Sequence, residues 1–551
     1  MGILSEGARM ERERFKVLVT DNIAEEGIDT LKRGGDIDVD IKPGIKSDEL
    51  TNIIGEYDAV VTRSGTSIKA GVLERPGKLK IIGRAGVGLE NVDIEAASKK
   101  GIIVMNAPTG NTLAATELTM GAMLSAARKI PLANNSLKAG SWDRKQFMGV
   151  ELYNKTLGIV GLGRIGSNVA IRAKSFGMRV IAFDPFIKKS KADDLGVSLY
   201  EEFDKLLRES DVITFHTPLT NKTRNMVTAA EINTMKDGVI IINCARGGIV
   251  NENDLYDALK SGKVFTAGVD VFETEPPFKS KLLEVDNLFV TPHIGANTWE
   301  GQKAVSVILC EQLVNALNGR PYQNGVNIPF IKSQLPDRAQ LYFDLAEKMG
   351  KLAAQIIKGR AEEIRVVMVG KGFEEDLCER KFDVPFSFQP FTVAALKGFL
   401  AVSHQETVTF LNAPYLAQDQ NVVVQESKAE HFEKFNDLLV FIVRTDKGET
   451  LFGGTVFSDS RGRVVLLDGF RLDIIPDGTF LNFRIFDRPG VVGRVGTILG
   501  DHNVNIAGLS LSRQVTGEEI AFVSVDCPIE PEVMKQILAI DGMIEASVIE
   551  L

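Results

Sequence analysis

Short apolar runs separated by longer stretches of mixed polarity mark the first half of the chain. Residues 15–20 (FKVLVT), 59–62 and 79–82 are β-rich, with helix-compatible stretches between them. Such alternation predicts the strands of a parallel α/β sheet. A second series begins at 156–160 (TLGIV) and continues through 179–183, 211–215, 239–243, 266–269 and 287–290. Spacings of about 20–30 residues fit one doubly wound nucleotide-binding domain.

The rhythm breaks around Asn324-Gly325-Val326-Asn327-Ile328-Pro329. A helical stretch over 337–358 follows, then a mixed region with β-rich runs such as 464–467. A turn at Pro476-Asp477-Gly478 opens a last unit that reads β-α-β-β-α-β over 480–486, 490–502, 506–513, 520–527, 531–538 and 544–551. This order predicts a ferredoxin-like sandwich.

A chain of 551 residues is too long for one core and implies three or four units. A hydrophobic fraction of 44% with 25% charged residues is that of a globular protein in water. Net charge is −9, which argues against nucleic acid or an anionic membrane as main partner. No apolar run has the length of a membrane span. The first fourteen residues mix Glu6, Glu11 and Glu13 with Arg9, Arg12 and Arg14, unlike a signal peptide, and are expected to form a frayed or helical extension. Glu6 stands where a myristoylation motif wants Ser or Thr. Cys244, Cys310, Cys378 and Cys527 are scattered without metal-ligand or redox spacing, so a reduced cytoplasmic protein without a metal site is expected.

Gly161-Leu162-Gly163-Arg164-Ile165-Gly166 follows an apolar strand and opens a helix. The first Gly permits a tight turn, the second lets backbone approach a pyrophosphate, and the third lets helix pack on strand. The helix N-terminus then offers free N–H groups to phosphate. Asp184 ends the next strand, placed to grip ribose hydroxyls. It would repel a 2′-phosphate by about 4 kcal/mol at 4 Å and an effective dielectric near 20, so NAD is favoured over NADP.

Oxidising a secondary alcohol needs a proton acceptor, a hydride acceptor and, for an acid substrate, a cation. Two of the five histidines, His216 (ITFHTP) and His293 (VTPHIG), end strands of the nucleotide domain, where ligands collect. Glu275 and Arg246 also follow strands. A carboxylate beside imidazole fixes its tautomer, and a guanidinium fork holds a carboxylate bidentately.

The segments GRAGVGLENVD (83–93), GLGRIG (161–166), HTPLT (216–220), NCARGGIVNE (243–252), GVDVFETEPP (268–277) and TPHIGANT (291–298) together resemble the D-isomer-specific 2-hydroxyacid dehydrogenase family, over nearly the whole chain. The resemblance implies that Arg246 binds the substrate carboxylate and carbonyl, that His293 is the acid/base and that Glu275 tunes it, with His216 at the cofactor. It carries NAD contacts to Gly161, Gly163, Arg164, Ile165, Gly166, Asp184, Thr217, Cys244, Ala245, Arg246, Asp270, His293, Gly295 and Ala296. Arg63 and Ser64, with the backbone of Gly86 and Val87, are implied to hold substrate. Arg144 and Lys145, in a charged loop (WDRK), resemble the segment that a dimer partner offers to a phosphate.

Its long members suggest a substrate-binding domain over 15–108 and 297–327, an NAD domain over 109–296, an α+β intervening domain over 328–477 resembling an allosteric substrate-binding domain, and an ACT effector module over 479–551. Asp487 and Asn505 match residues that bind L-serine in some relatives, although the position of an assisting aromatic is Ile485 here. The expected activity is NAD-dependent oxidation of 3-phospho-D-glycerate to 3-phosphohydroxypyruvate, the first step of L-serine biosynthesis, by a homodimer or homotetramer. The alternatives are a reductase of glyoxylate, hydroxypyruvate or another 2-keto acid, and an NAD(H)-sensing binding protein.

Overall fold

The computed structural model describes residues 14–551 except 329, 376, 378–385, 387, 405–406, 433–434 and 515–516. The anticipated N-terminal extension, apart from Arg14, and Cys378 lie outside the described residues. Cys244, Cys310 and Cys527 are unbridged.

Strands β1 (Phe15–Val19), β2 (Ile37–Ile41), β3 (Ala59–Thr62), β4 (Ile81–Arg84) and β5 (Ile103–Asn106) form a parallel sheet in the order β2-β1-β3-β4-β5. Two of them escaped the sequence pattern. β2 (IDVDI) is an edge strand that buries only Ile37, and β5 is a four-residue strand. The long helix Trp299–Leu317 returns to this sheet, where Val305, Leu309, Cys310 and Leu313 pack with Val17, Val19 and Val61. Asn327 pins the return: Val104 N–H donates to its Oδ1 at 2.9 Å, and its Nδ2 donates to Ser98 Oγ and the Ile102 carbonyl.

The second sheet contains β6 (Thr156–Val160), β7 (Arg179–Phe183), β8 (Ser198–Tyr200), β9 (Val212–Phe215), β10 (Val239–Asn243), β11 (Val264–Val269) and β12 (Leu288–Val290). Their order is β12-β11-β10-β9-β6-β7-β8, all parallel. β6, β9 and β10 are buried throughout, because helices cover both faces; hence their unbroken apolar sequences. The three-residue β8 (SLY) was too short to be read from sequence. Helix Thr112–Ala127 packs on helix Arg164–Ser175 and on β10 and β11. Strand order reverses between β6 and β9, which puts a crevice above the C-terminal end of β6.

The third sheet runs β14-β13-β15-β16-β17-β18, with β13 (Ala361–Val369), β14 (Val423–Ala429), β15 (Leu438–Thr445), β16 (Gly448–Val456), β17 (Gly462–Leu467) and β18 (Phe470–Ile474). The predicted helix forms over Asp337–Ile356 and packs against helix Pro390–Ala401 and this sheet. The last unit follows the predicted order: β19 (Thr479–Phe486), helix Val491–Asp501, β20 (Ile506–Arg513), β21 (Glu518–Val525), helix Pro531–Leu538 and β22 (Met543–Glu550). Its antiparallel sheet, β20-β21-β19-β22, is apolar on both faces. Leu481, Phe483, Ile485, Ala521 and Val523 pack under its own two helices. Phe480, Ile520, Phe522 and Ile549, pointing the other way, join one core with Phe343, Leu345 and Met349 of helix Asp337–Ile356. Among the described residues no helix is long and apolar enough to cross a membrane.

Because that core is shared, Phe522→Ala should cost about 3–5 kcal/mol and lower amide protection in helix Asp337–Ile356 as well as in β19 and β21. Hydrogen exchange checks this; protection lost from the last unit alone would mean two independent cores.

Candidate active site

The glycine turn occupies the crevice above β6. Gly161 has φ +93°, and a Cβ there would stand 2.7 Å from the His216 carbonyl. A Cβ on Gly166 would stand 2.1 Å from the Gly161 carbonyl, so that glycine is demanded by contact between turn and helix. Gly163 differs: a Cβ there meets nothing within 4 Å. The open space lies at the start of helix Arg164–Ser175, whose first turn has no side-chain cap. Its N–H groups are free for an anion. Nearby, Thr217 Oγ1 is buried without a hydrogen-bond partner among the described residues. An unfilled cradle and an orphaned hydroxyl suit a dinucleotide pyrophosphate, and these residues fit NAD.

Asp184 follows β7. Its Oδ2 accepts Leu162 N–H at 2.8 Å and its Oδ1 accepts Phe186 N–H at 2.9 Å. The carboxylate thus ties the glycine turn to the next strand, while each oxygen keeps a lone pair for a ribose hydroxyl. Arg164 reaches the Pro108 carbonyl at 3.2 Å, and Ile165 packs against the domain core. Burial, followed by the Asp270 carboxylate, pushes the Cys244 thiol up to about 12, so it stays a neutral thiol beside Ala245.

Arg246, Glu275 and His293 follow β10, β11 and β12, three neighbouring strands. His293 Nδ1 lies 2.8 Å from Glu275 Oε2, and Glu275 Oε1 accepts Phe272 N–H at 3.1 Å. A carboxylate only accepts, so it fixes the imidazole proton on Nδ1 and leaves Nε2 as a base. His293 itself has φ +54°. It is held there by Asp270, whose carboxylate accepts Ile294 N–H (2.8 Å), Gly295 N–H (2.9 Å) and the Thr291 hydroxyl (2.5 Å). Ala296 is the next residue of this loop. The other histidine, His216, is held down to about 3 by burial, and its Nε2 lies 3.2 Å from Thr214 Oγ1.

From the first sheet come Arg63 and Ser64 after β3, and Gly86 and Val87 after β4. Buried Asp21 accepts the N–H groups of Arg63 (2.6 Å) and Thr66 (3.2 Å), and Arg63 NH1 donates to the Asn22 carbonyl. The two domains meet here: Arg246 Nε donates to Glu90 Oε1 at 3.1 Å, and its NH1 donates to the Ala245 carbonyl at 2.7 Å. Partial desolvation opposes it, but Arg246 and Arg84 hold the Glu90 carboxyl below the usual carboxylate range. Burial, with Arg246 and Arg63 close by, pushes the Arg84 guanidinium below its ordinary value against the pull of Glu90 and Asp21. Sequence reasoning did not single out Arg84, Glu90 or Asp21. The first two stood inside the quoted GRAGVGLENVD segment, and their charges flanking Gly86-Val87 were the available signal.

Arg144 and Lys145 sit on an exposed segment and make no hydrogen bond or ion pair to these cleft residues among the described ones. In the last unit Asp487 pairs with Arg513 and Asn505 donates to Asp526 at 2.6 Å, while Ile485 is fully buried. A cavity of about 740 Å³ lies at the opposite edge of the first sheet, lined by Lys16, Asp58, Lys80 and Lys100, away from this chemistry.

Residues 120–295 match the NAD binding domain of D-isomer specific 2-hydroxyacid dehydrogenases, and the chain is an NAD-dependent oxidoreductase of that class. Residues 338–468 match the D-3-phosphoglycerate dehydrogenase intervening domain, and 479–542 an ACT domain. The D-3-phosphoglycerate dehydrogenase of Archaeoglobus fulgidus is 41% identical over 98% of this chain and 100% of that one. The Bacillus subtilis enzyme of that name is 35% identical over 98% and 100%. Among solved structures, a Thermus thermophilus protein (33% identity, TM-score 0.52) and a glyoxylate reductase from Paecilomyes thermophila (29%, TM-score 0.53) each cover 57% of this chain, and 100% and 99% of their own. The chain belongs to the D-3-phosphoglycerate dehydrogenase family.

Two outcomes follow. Gly163→Val should leave thermal stability near wild type yet weaken NADH binding at least about tenfold, whereas Gly166→Val should destabilise the fold by about 1–3 kcal/mol; melting curves and NADH fluorescence titration separate the two. Between pH 6.5 and about 3 the unfolded chain binds a proton at His216 that the folded one does not, so stability rises with pH there. His216→Gln should flatten that limb of the pH–stability curve.

Proposed function

We propose that this chain oxidises 3-phospho-D-glycerate to 3-phosphohydroxypyruvate with NAD, the entry step of L-serine biosynthesis. The carrying observation is the His293–Glu275 pair at 2.8 Å, on strand ends next to the one that carries Arg246, which itself bonds Glu90 of the first domain. Bound NAD would be held by the glycine turn, Asp184 and Thr217, and supplies the acceptor for the C2 hydride. His293 Nε2 takes the hydroxyl proton. Glu275, hydrogen-bonded at Nδ1, compensates the charge that the ring then gains. Arg246 holds the carboxylate and the oxygen becoming a carbonyl, through the guanidinium edge that Glu90 and Ala245 leave free. The Val87 backbone N–H holds the carboxylate from the other side, next to Gly86, whose own N–H donates to the Arg84 carbonyl at 2.9 Å, and Arg63 with Ser64 faces the phosphate.

Leu113, Ile130, Leu137, Trp142, Met148 and Tyr153 are exposed, and helix Ile130–Lys138 buries no residue. This exposed apolar surface supports a homodimer, in which a second copy would cover it and Arg144 and Lys145 would reach the partner's phosphate site. L-serine at Asp487 and Asn505 of the ACT domain is the matching effector. Cys244, Cys310 and Cys527, unbridged among the described residues, suit a cytoplasmic enzyme.

His293→Ala should lower turnover about 10²–10⁴-fold, a larger loss than in His216→Gln. NADH production from 3-phospho-D-glycerate measures both, and a normal rate in His293→Ala would remove the assigned base.

A further inference from the structure

A guanidinium grips a carboxylate bidentately only when its plane faces the right way. The loop that carries Arg246 supplies part of that aim. Ala245 N–H donates to Asn243 Oδ1 at 3.1 Å, Asn243 Nδ2 donates to the Arg246 carbonyl at 2.9 Å, and Arg246 NH1 donates to the Ala245 carbonyl at 2.7 Å. A single bond to the guanidinium still lets it swing. The second fixed point comes from the other domain, where Glu90 Oε1 accepts Arg246 Nε at 3.1 Å.

The segment around Glu90 is built to reach across. Lys69 Nζ donates to the Glu90 carbonyl at 2.6 Å. Asn91, the next residue, donates through Nδ2 to the carbonyls of Arg63 and Thr66, both at 2.6 Å. The Glu90 backbone is thereby tied to the segment that carries Arg63. Its carboxylate lies over Gly88, where an added Cβ would collide with both carboxylate oxygens.

Exposure separates two uses for such a pair. The Glu90 side chain is 68% exposed, and an exposed ion pair contributes little to stability. Orientation is worth far more, since misplacing a binding group by about 1 Å costs a rate about 100-fold. We infer that Glu90 is a positioning residue: from the first domain it aims the Arg246 guanidinium at the substrate carboxylate and at the oxygen that becomes the carbonyl. This rests on the functional reading above.

The test measures reduction of 3-phosphohydroxypyruvate and hydroxypyruvate with NADH by the full-length enzyme, in wild type, Glu90→Ala, Glu90→Gln and Gly88→Ala. Glu90→Ala should lower kcat/KM about 10–100-fold, by similar factors on both acids, because both present the same carboxylate and carbonyl. Glu90→Gln keeps the acceptor and should recover most of that loss. Gly88→Ala keeps Glu90 but displaces its carboxylate, and should fall with Glu90→Ala. Melting temperature and NADH affinity should stay near wild type in all three. If Glu90→Ala fails to fold, the loss in Gly88→Ala decides. Wild-type kcat/KM in Glu90→Ala or Gly88→Ala, a Gln variant no better than the Ala one, or a loss confined to the phosphorylated acid overturns the role of Glu90. Wild-type enzyme that reduces hydroxypyruvate but not the phosphorylated acid overturns the functional reading instead, and the Glu90 comparison then stands on hydroxypyruvate alone.

Discussion

A single buried carboxylate organises the reactive end of this enzyme. Asp270 is about 1% exposed, and isolation there would be severely unfavourable without donors to satisfy it. It accepts from Ile294, Gly295 and Thr291, and its carbonyl accepts His293 N–H at 2.9 Å. These bonds fold the chain after β12 into a loop tight enough to hold His293 at positive φ, a conformation that costs energy outside glycine. The His293–Glu275 pair exists because the loop is already fixed. The base proposed for the reaction gains from being placed before substrate arrives, and here the placing is done by hydrogen bonds to one carboxylate, most of them from backbone N–H groups.

Sequence made the second sheet legible because its strands are buried on both faces and separated by helical lengths. The same logic located Arg246, Glu275 and His293, since residues just past parallel strands converge at one edge. Where burial was partial, the pattern faded. β2 alternates aspartate with apolar residues at an edge, and β8 has three residues. Arg84 and Glu90 were passed over for a different reason. Their meaning comes from Arg246, distant in sequence and brought across the cleft by the fold. Asp270 was expected as a cofactor contact; its work in holding the His293 loop appears only from geometry.

The two C-terminal units illustrate how a boundary clear in sequence can be blurred in packing. The turn at 476–478 separates a six-stranded sheet from a four-stranded one. Yet Phe480, Ile520, Phe522 and Ile549 of the second sheet complete the core around helix Asp337–Ile356. Additional ties run from Gln355 to the Glu550 backbone and from Lys358 to Glu545. Period-2 alternation in β19 and β21 places apolar residues on both faces, and a sheet apolar on both faces needs two partners.

The chain passes between its first two units twice. It leaves the first sheet after β5 into helix Thr112–Ala127, which packs on the second, and returns through helix Trp299–Leu317, which packs on the first. The two helices also touch each other. A body joined by one strand can swivel; a body joined by two side-by-side straps behaves like a door on paired hinges. Twisting would stretch one strap against the other, so bending is the soft mode. Two straps resist twisting more than one would, and so hold the lateral register between the strand ends that carry Arg63 and Arg246.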